Sequence, residues 1–147
     1  MSPKHHQLIG YLVYTTQRAL AHSLEVTLKP YNVTPGQWNL LNQLDRAGEL
    51  SQKALADEAN KEQATITRYL DTLERKGLVL RSPDKNDRRA HIISLTDKAR
   101  DLIKNATPTV NETADYVVKE ISQKDLDTFL SVLDKLQQNA EDFTSDL

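Results

Sequence analysis

The segment LSQKALADEANKEQATITRYLDTLERKGLVLRSPDKNDRRAHIISLT, Leu50–Thr96, decides the fold. Up to Lys76 its apolar residues recur at three- and four-residue spacing, the mark of amphipathic helices. Beyond Gly77 two short apolar runs, Leu78–Ser82 and Ala90–Leu95, flank a polar tip and predict a β-hairpin. Ser51 caps a short helix through Ala59, with Leu50 placed to staple onto Leu55. Asn60 and Lys61 form a turn. The helix that follows runs to Lys76 with Ile66, Leu70 and Leu73 inward, and Gly77 stops it in a left-handed conformation. The order is therefore helix, turn, helix, hairpin.

Working outward, a long first helix spans His6 to Lys29, with Leu8, Leu12, Ala19, Leu20, Leu24 and Leu28 as its apolar stripe. The second helix starts at Thr34-Pro35-Gly36-Gln37. Thr34 is the N-cap, Pro35 takes the first helical position and Gln37 closes a capping box. Val33 and Trp38 form the accompanying staple, and Gly48 ends the element. After the hairpin, Thr96-Asp97 caps a fifth helix, which Pro108 either kinks or interrupts. Ser122 opens the last helix, where Leu126, Phe129, Leu130, Leu133, Leu136, Ala140 and Phe143 make a seam.

At 147 residues, 38% hydrophobic and 27% charged, this is an ordinary globular composition for one domain with helical extensions. The chain has no cysteine, which removes disulfides, thiolate metal sites and thiol nucleophiles. Its beginning, Met1-Ser2-Pro3-Lys4-His5-His6, lacks the apolar core of a signal peptide, and no run is long enough to span a bilayer. His5-His6 reads as a disordered end rather than as metal ligands, and no histidines share the i, i+4 spacing of a metal-binding helix. No nucleophile-and-base set or glycine-rich phosphate loop is present, so an enzyme is not expected, and no cofactor. The expected compartment is the cytoplasm.

Charge is polarised along the chain. Residues 61–91 hold 8 Lys/Arg against 5 Asp/Glu, whereas residues 105–147 hold 3 against 9. A basic middle attracts phosphates and an acidic end discourages wrong docking. Within the basic part, Gln63, Thr65, Thr67 and Arg68 fall in about a turn and a half of helix. Arginine suits guanine, glutamine suits adenine and the threonine methyl suits thymine in the major groove. The tip carries Asp87-Arg88-Arg89. An arginine gains from the negative potential of a narrow minor groove, and a carboxylate can hold its guanidinium in a bidentate pair. Arg89 is assigned the groove, Arg88 a phosphate and Asp87 the orienting role. Ser51, Gln52, Lys61 and Arg75 complete the candidate DNA-binding set. The competing reading is a solvated helix face and a tip kept soluble by charge.

Joined, these parts resemble the MarR family of winged helix-turn-helix transcription regulators. The resemblance runs over about residues 6–143. It rests on Thr34-Pro35-Gly36-Gln37-Trp38, Ala64-Thr65-Ile66-Thr67-Arg68, Leu73-Glu74-Arg75-Lys76-Gly77-Leu78-Val79, and Asp87-Arg88-Arg89-Ala90 running to Leu95-Thr96. It implies a mainly α fold with a small β-hairpin wing. Residues 31–96 would be the winged helix-turn-helix domain, with 6–30 and 97–143 a helical dimerisation domain. It implies a homodimer on a pseudo-palindromic double-stranded operator, most often as a repressor. An intrachain core is the alternative fate of the C-terminal seam.

The resemblance also implies release by a small phenolic or lipophilic effector where the dimerisation helices meet the winged domain. Tyr11, Tyr14, Arg18, His22 and Trp38 are the candidates, offering flat walls and a cation for a carboxylate. Trp38 as a staple, Tyr11 as core and His22 as a surface residue are the structural alternatives. The family's peroxide-sensing branch uses a cysteine that this chain lacks. A second class of function is a protein-interaction module on the same fold. Such a module would tolerate apolar or acidic residues where this chain keeps Arg68, Arg88 and Arg89.

Overall fold

The computed structural model describes residues 3–59 and 61–147. In chain order the elements are α1 (Pro3–Leu28), a short 3-10 turn (Lys29–Tyr31), α2 (Pro35–Ala47), β1 (Glu49–Ser51) and α3 (Gln52–Glu58). They continue with α4 (Gln63–Arg75), β2 (Val79–Pro83), β3 (His91–Leu95), α5 (Asp97–Val117) and α6 (Gln123–Ser145). The protein is mainly α with a small antiparallel sheet, as the sequence indicates. Packing divides it into two compact units, Met1–Thr113 and Ala114–Leu147.

The caps read from sequence are formed. The Thr34 hydroxyl accepts from the Gln37 amide, and the Gln37 side chain accepts in return from the Thr34 amide, both at 3.2 Å. Ser51 Oγ accepts from the Ala54 amide and Ser122 Oγ from that of Asp125. Each satisfies an amide that the first helical turn leaves without a partner. Gly48 and Gly77 adopt positive φ, 83° and 72°, where a Cβ would be strained. The Asn60 half of the expected turn lies outside the described residues.

Two expectations are corrected, and one open alternative is decided. Leu50-Ser51 does not simply open a helix. Glu49–Ser51 is a third strand, pairing Leu50 with Ile93 and Ser51 with Ile92, and the sheet order is β1-β3-β2. Three residues are too few to show a period, and the partner strand is remote in sequence. His5 and His6 are helical, because α1 begins at Pro3. A proline suits the first helical position, where no amide donor is needed. Pro108 does not interrupt α5. The carbonyl it leaves without a donor is that of Lys104. On either side of it, Thr107 Oγ1 donates to the Ile103 carbonyl at 2.6 Å and the Tyr31 hydroxyl to that of Asn105 at 3.2 Å.

One core unites α2, α3, α4 and the sheet. Leu41, Leu44, Leu55, Ile66, Leu70, Leu73 and Ile93 are fully buried in it. Gly36 lets α4 approach the start of α2, since a Cβ there would stand 2.9 Å from the Tyr69 hydroxyl. Lys76 ties the same two elements, its Nζ donating to the Asn32 carbonyl at 2.6 Å and to Gln37 Oε1 at 3.2 Å. Thr96 closes the hairpin, donating to the Gly77 carbonyl at 2.7 Å while its oxygen accepts from the Ala99 amide that starts α5.

Candidate nucleic-acid interface

The buried stripe of α4 dictates what the helix displays. With Ile66, Leu70 and Leu73 inward, Gln63, Arg68 and Arg75 are exposed, and Thr65 and Thr67 are half-buried beside them. Arg68 Nη2 donates to Thr65 Oγ1 at 3.3 Å, which restrains the guanidinium along the helix surface. Arg75 Nη2 likewise donates to Thr72 Oγ1 at 3.2 Å. Thr67 is turned toward α3. Its hydroxyl donates to the Gln63 carbonyl at 2.9 Å and accepts from Gln52 Nε2 at 2.7 Å. Gln52 and Thr67 thus hold α3 against α4, which leaves Gln63 and Arg68 as the most open polar side chains of the set. Ser51 spends its acceptor on the α3 cap. Lys61 is exposed in the turn before α4.

The tip of the hairpin is a closed polar loop. The Asp84 amide donates to the Ala90 carbonyl at 3.0 Å, and the Ala90 amide to that of Asp87 at 3.1 Å. Asp87 does orient Arg89, but not through the guanidinium pair expected. Its carboxylate accepts from the Arg89 backbone amide at 2.9 Å, the two-residue reach of an aspartate turn. Such a contact fixes the backbone, and among the described residues neither arginine head has a side-chain partner. Arg88 and Arg89 are exposed.

The sequence reading missed the residue that joins wing and helix. Arg81 of β2 reaches α4, with Nη1 2.6 Å from Asp71 Oδ1 and Nη2 donating to the Thr67 carbonyl at 3.2 Å. A lone arginine in a strand-like run carries no sequence signal of such a contact.

Among the described residues, the five effector candidates are not gathered into one groove. Tyr11 and Tyr14 are 64% and 58% exposed on α1, and Arg18 lies over the Tyr14 ring at 5.9 Å. Arg18 and His22 share one open groove; His22 also lines another of about 310 Å³ with Glu25, Lys29, Asn32 and Lys76. Trp38 is 6% exposed, packed in the core, and borders a different groove with Asn39 and Arg46. Among the described residues no group of three or more metal-ligating side chains occurs. No described helix is long and apolar enough to cross a membrane.

A helix-turn-helix with a charged β-hairpin on the same core defines a winged helix-turn-helix protein. Residues 33–91 match the model of the MarR family. The fold of the chain is similar to that of CouR, a transcriptional repressor solved bound to a 23-mer DNA duplex. That match has a TM-score of 0.84 and 27% identity, and covers 92% of this chain and 96% of the other. It is also similar to a mutant MarR from E. coli complexed with operator DNA, at a TM-score of 0.84 and 23% identity over 92% and 99% of the two chains. A MarR transcriptional regulator from Methanosarcina mazei Go1 matches at 0.80 and 22% over 93% and 99%.

Proposed function

We propose that the protein is a sequence-specific repressor that binds double-stranded DNA as a homodimer. The observation that carries this reading is the pairing, in one segment that matches the MarR model, of an exposed Gln63 and Arg68 face with the exposed Arg88 and Arg89. On this reading α4 lies in the major groove, where Gln63 and Arg68 meet base edges. The wing places Arg89 in the minor groove and Arg88 on a phosphate. Lys61 and Arg75 neutralise phosphates at the two ends of α4. Ser51, Gln52, Thr65, Thr67 and Asp87 hold these side chains in place or contact the backbone of the duplex.

Residues 31–96 serve as the reading domain, and 6–30 with 97–143 as the dimerisation domain. Leu8, Leu12 and Leu20 on α1 and Phe129, Leu130 and Phe143 on α6 are all about half exposed or more. Apolar faces of this kind are covered in solution, and a second copy supplies an identical surface. A twofold dimer reads an inverted repeat with half-sites roughly 34–36 Å apart. The protein works in the cytoplasm, and a small phenolic or lipophilic anion acts as effector near α1, with Arg18 or His22 pairing to its carboxylate. The Tyr11, Tyr14 and Trp38 walls of such a site would need the partner subunit or a rearrangement to converge.

The test is a gel-shift titration on DNA upstream of the protein's own gene, with and without a panel of aromatic acids. Arg89→Ala should weaken binding, and Arg68→Ala should relax preference by about 1–3 kcal/mol at one base position. Equal binding by both variants and the parent would sink the assignment. Affinity should also fall steeply with salt as condensed counterions are released, and a flat response would contradict phosphate contact.

A further inference from the structure

If the protein reads DNA as proposed above, α4 and the wing must meet the duplex in fixed register, and Arg81 is the side chain that spans them. It sits at the middle of β2, opposite Ile93. Its side chain is 19% exposed. The guanidinium forks across α4: Nη1 lies 2.6 Å from Asp71 Oδ1 and 3.8 Å from Glu74 Oε2, and Nη2 donates to the Thr67 carbonyl at 3.2 Å. Thr67 in turn accepts from Gln52 on α3. One chain of polar contacts therefore runs from α3 through α4 to β2.

We propose that Arg81 is a positioning residue: its fork sets the angle of the wing against α4, so that Arg88 and Arg89 reach DNA together with Gln63 and Arg68. The planar fork matters because a single ammonium cannot bond both the Asp71 carboxylate and the Thr67 carbonyl in this geometry. A purely electrostatic role is the rival. Asp71 and Glu74 are about half exposed and would repel phosphates without a cation beside them. Lysine at position 81 separates the two roles, since it keeps the charge and loses the fork.

The chain has no cysteine, so Asp45→Cys on α2 and Asn86→Cys at the wing tip, both exposed, give a unique spin-label pair in the full-length protein. Labelled chains are diluted with unlabelled ones, so that each distance arises within one chain. The parent should give one narrow distance distribution. Arg81→Lys and Asp71→Ala should broaden it about twofold while the circular dichroism of the folded protein is kept. Their affinity for a duplex selected by the parent from a random library should drop about tenfold, the equivalent of one good contact. A parent-like distance width in Arg81→Lys would overturn the positioning role. Broadening with parent-like affinity would overturn its importance for binding. If the parent selects no duplex, the DNA reading itself fails, while the distance widths still decide what Arg81 holds.

Discussion

On α4, Ile66, Leu70 and Leu73 are fully buried; on α6, no residue is buried, and Phe129, Leu130 and Phe143 are 52%, 61% and 69% exposed. Both helices carry apolar stripes at similar spacing, and their fates are opposite. The winged segment packs three short helices on a three-stranded sheet, and Leu28 of α1 and Ala99, Ile103 and Ala106 of α5 join the same core. The long α1 resembles α6 rather than α4: among its residues of described burial only Leu28, at its end, is buried. A periodic stripe announces that something will cover it; it does not say whether the cover comes from the same chain.

The most damaging way to probe this contrast is inside the winged core. Leu70→Ala should cost about 2–5 kcal/mol in denaturant unfolding, because a fully buried leucine leaves a cavity. A cost below about 1 kcal/mol, well under that range, would mean that this core is loosely packed. On the other side of the comparison, Leu130→Asp should leave the fold intact and raise the dimer dissociation constant by about thirtyfold, or about 2 kcal/mol, as for a strong interface residue. Sedimentation across a concentration series reads this directly. An unchanged mass would show that the α6 face is not the subunit contact. The smallest effect is expected at a cap. Thr34→Ala should lower the stability of the winged domain by about 1 kcal/mol, since the Gln37 amide loses its acceptor. A change within error would indicate that packing alone holds the start of α2.

Much of the winged domain was legible in sequence because its signals are local. The Thr34–Gln37 box, the Ser51 cap, and the stops at Gly48 and Gly77 are each decided within four residues of chain. What escaped was non-local. Strand Glu49–Ser51 exists through its pairing with β3, and nothing in three residues proclaims it. The candidate interface shows the same division. Gln63, Arg68, Arg88 and Arg89 were picked out as candidates by residue type and position on a helix or hairpin tip. That Thr67 faces α3, that Asp87 grips the Arg89 backbone amide, and that Arg81 ties wing to helix depend on distances between elements. The effector candidates fared differently again. Tyr11, Tyr14, Arg18 and His22 lie along α1, but Trp38 belongs to the core of α2, and among the described residues these five do not share one groove.

By itself, the sequence determined the order of the helices, the Thr34, Ser51, Thr96 and Ser122 caps, the hairpin with its basic tip, and the polar outer face of α4. Each follows from hydrogen-bonding and burial preferences that act over one or two turns. Only the tertiary structure decided how those parts constrain one another: the third strand, the continuity of α5 through Pro108, and the fork of Arg81 across Asp71 and the Thr67 carbonyl. The physical reason is range. A cap is satisfied within its own turn, whereas a strand needs a partner and a guanidinium fork needs two acceptors that folding alone brings together.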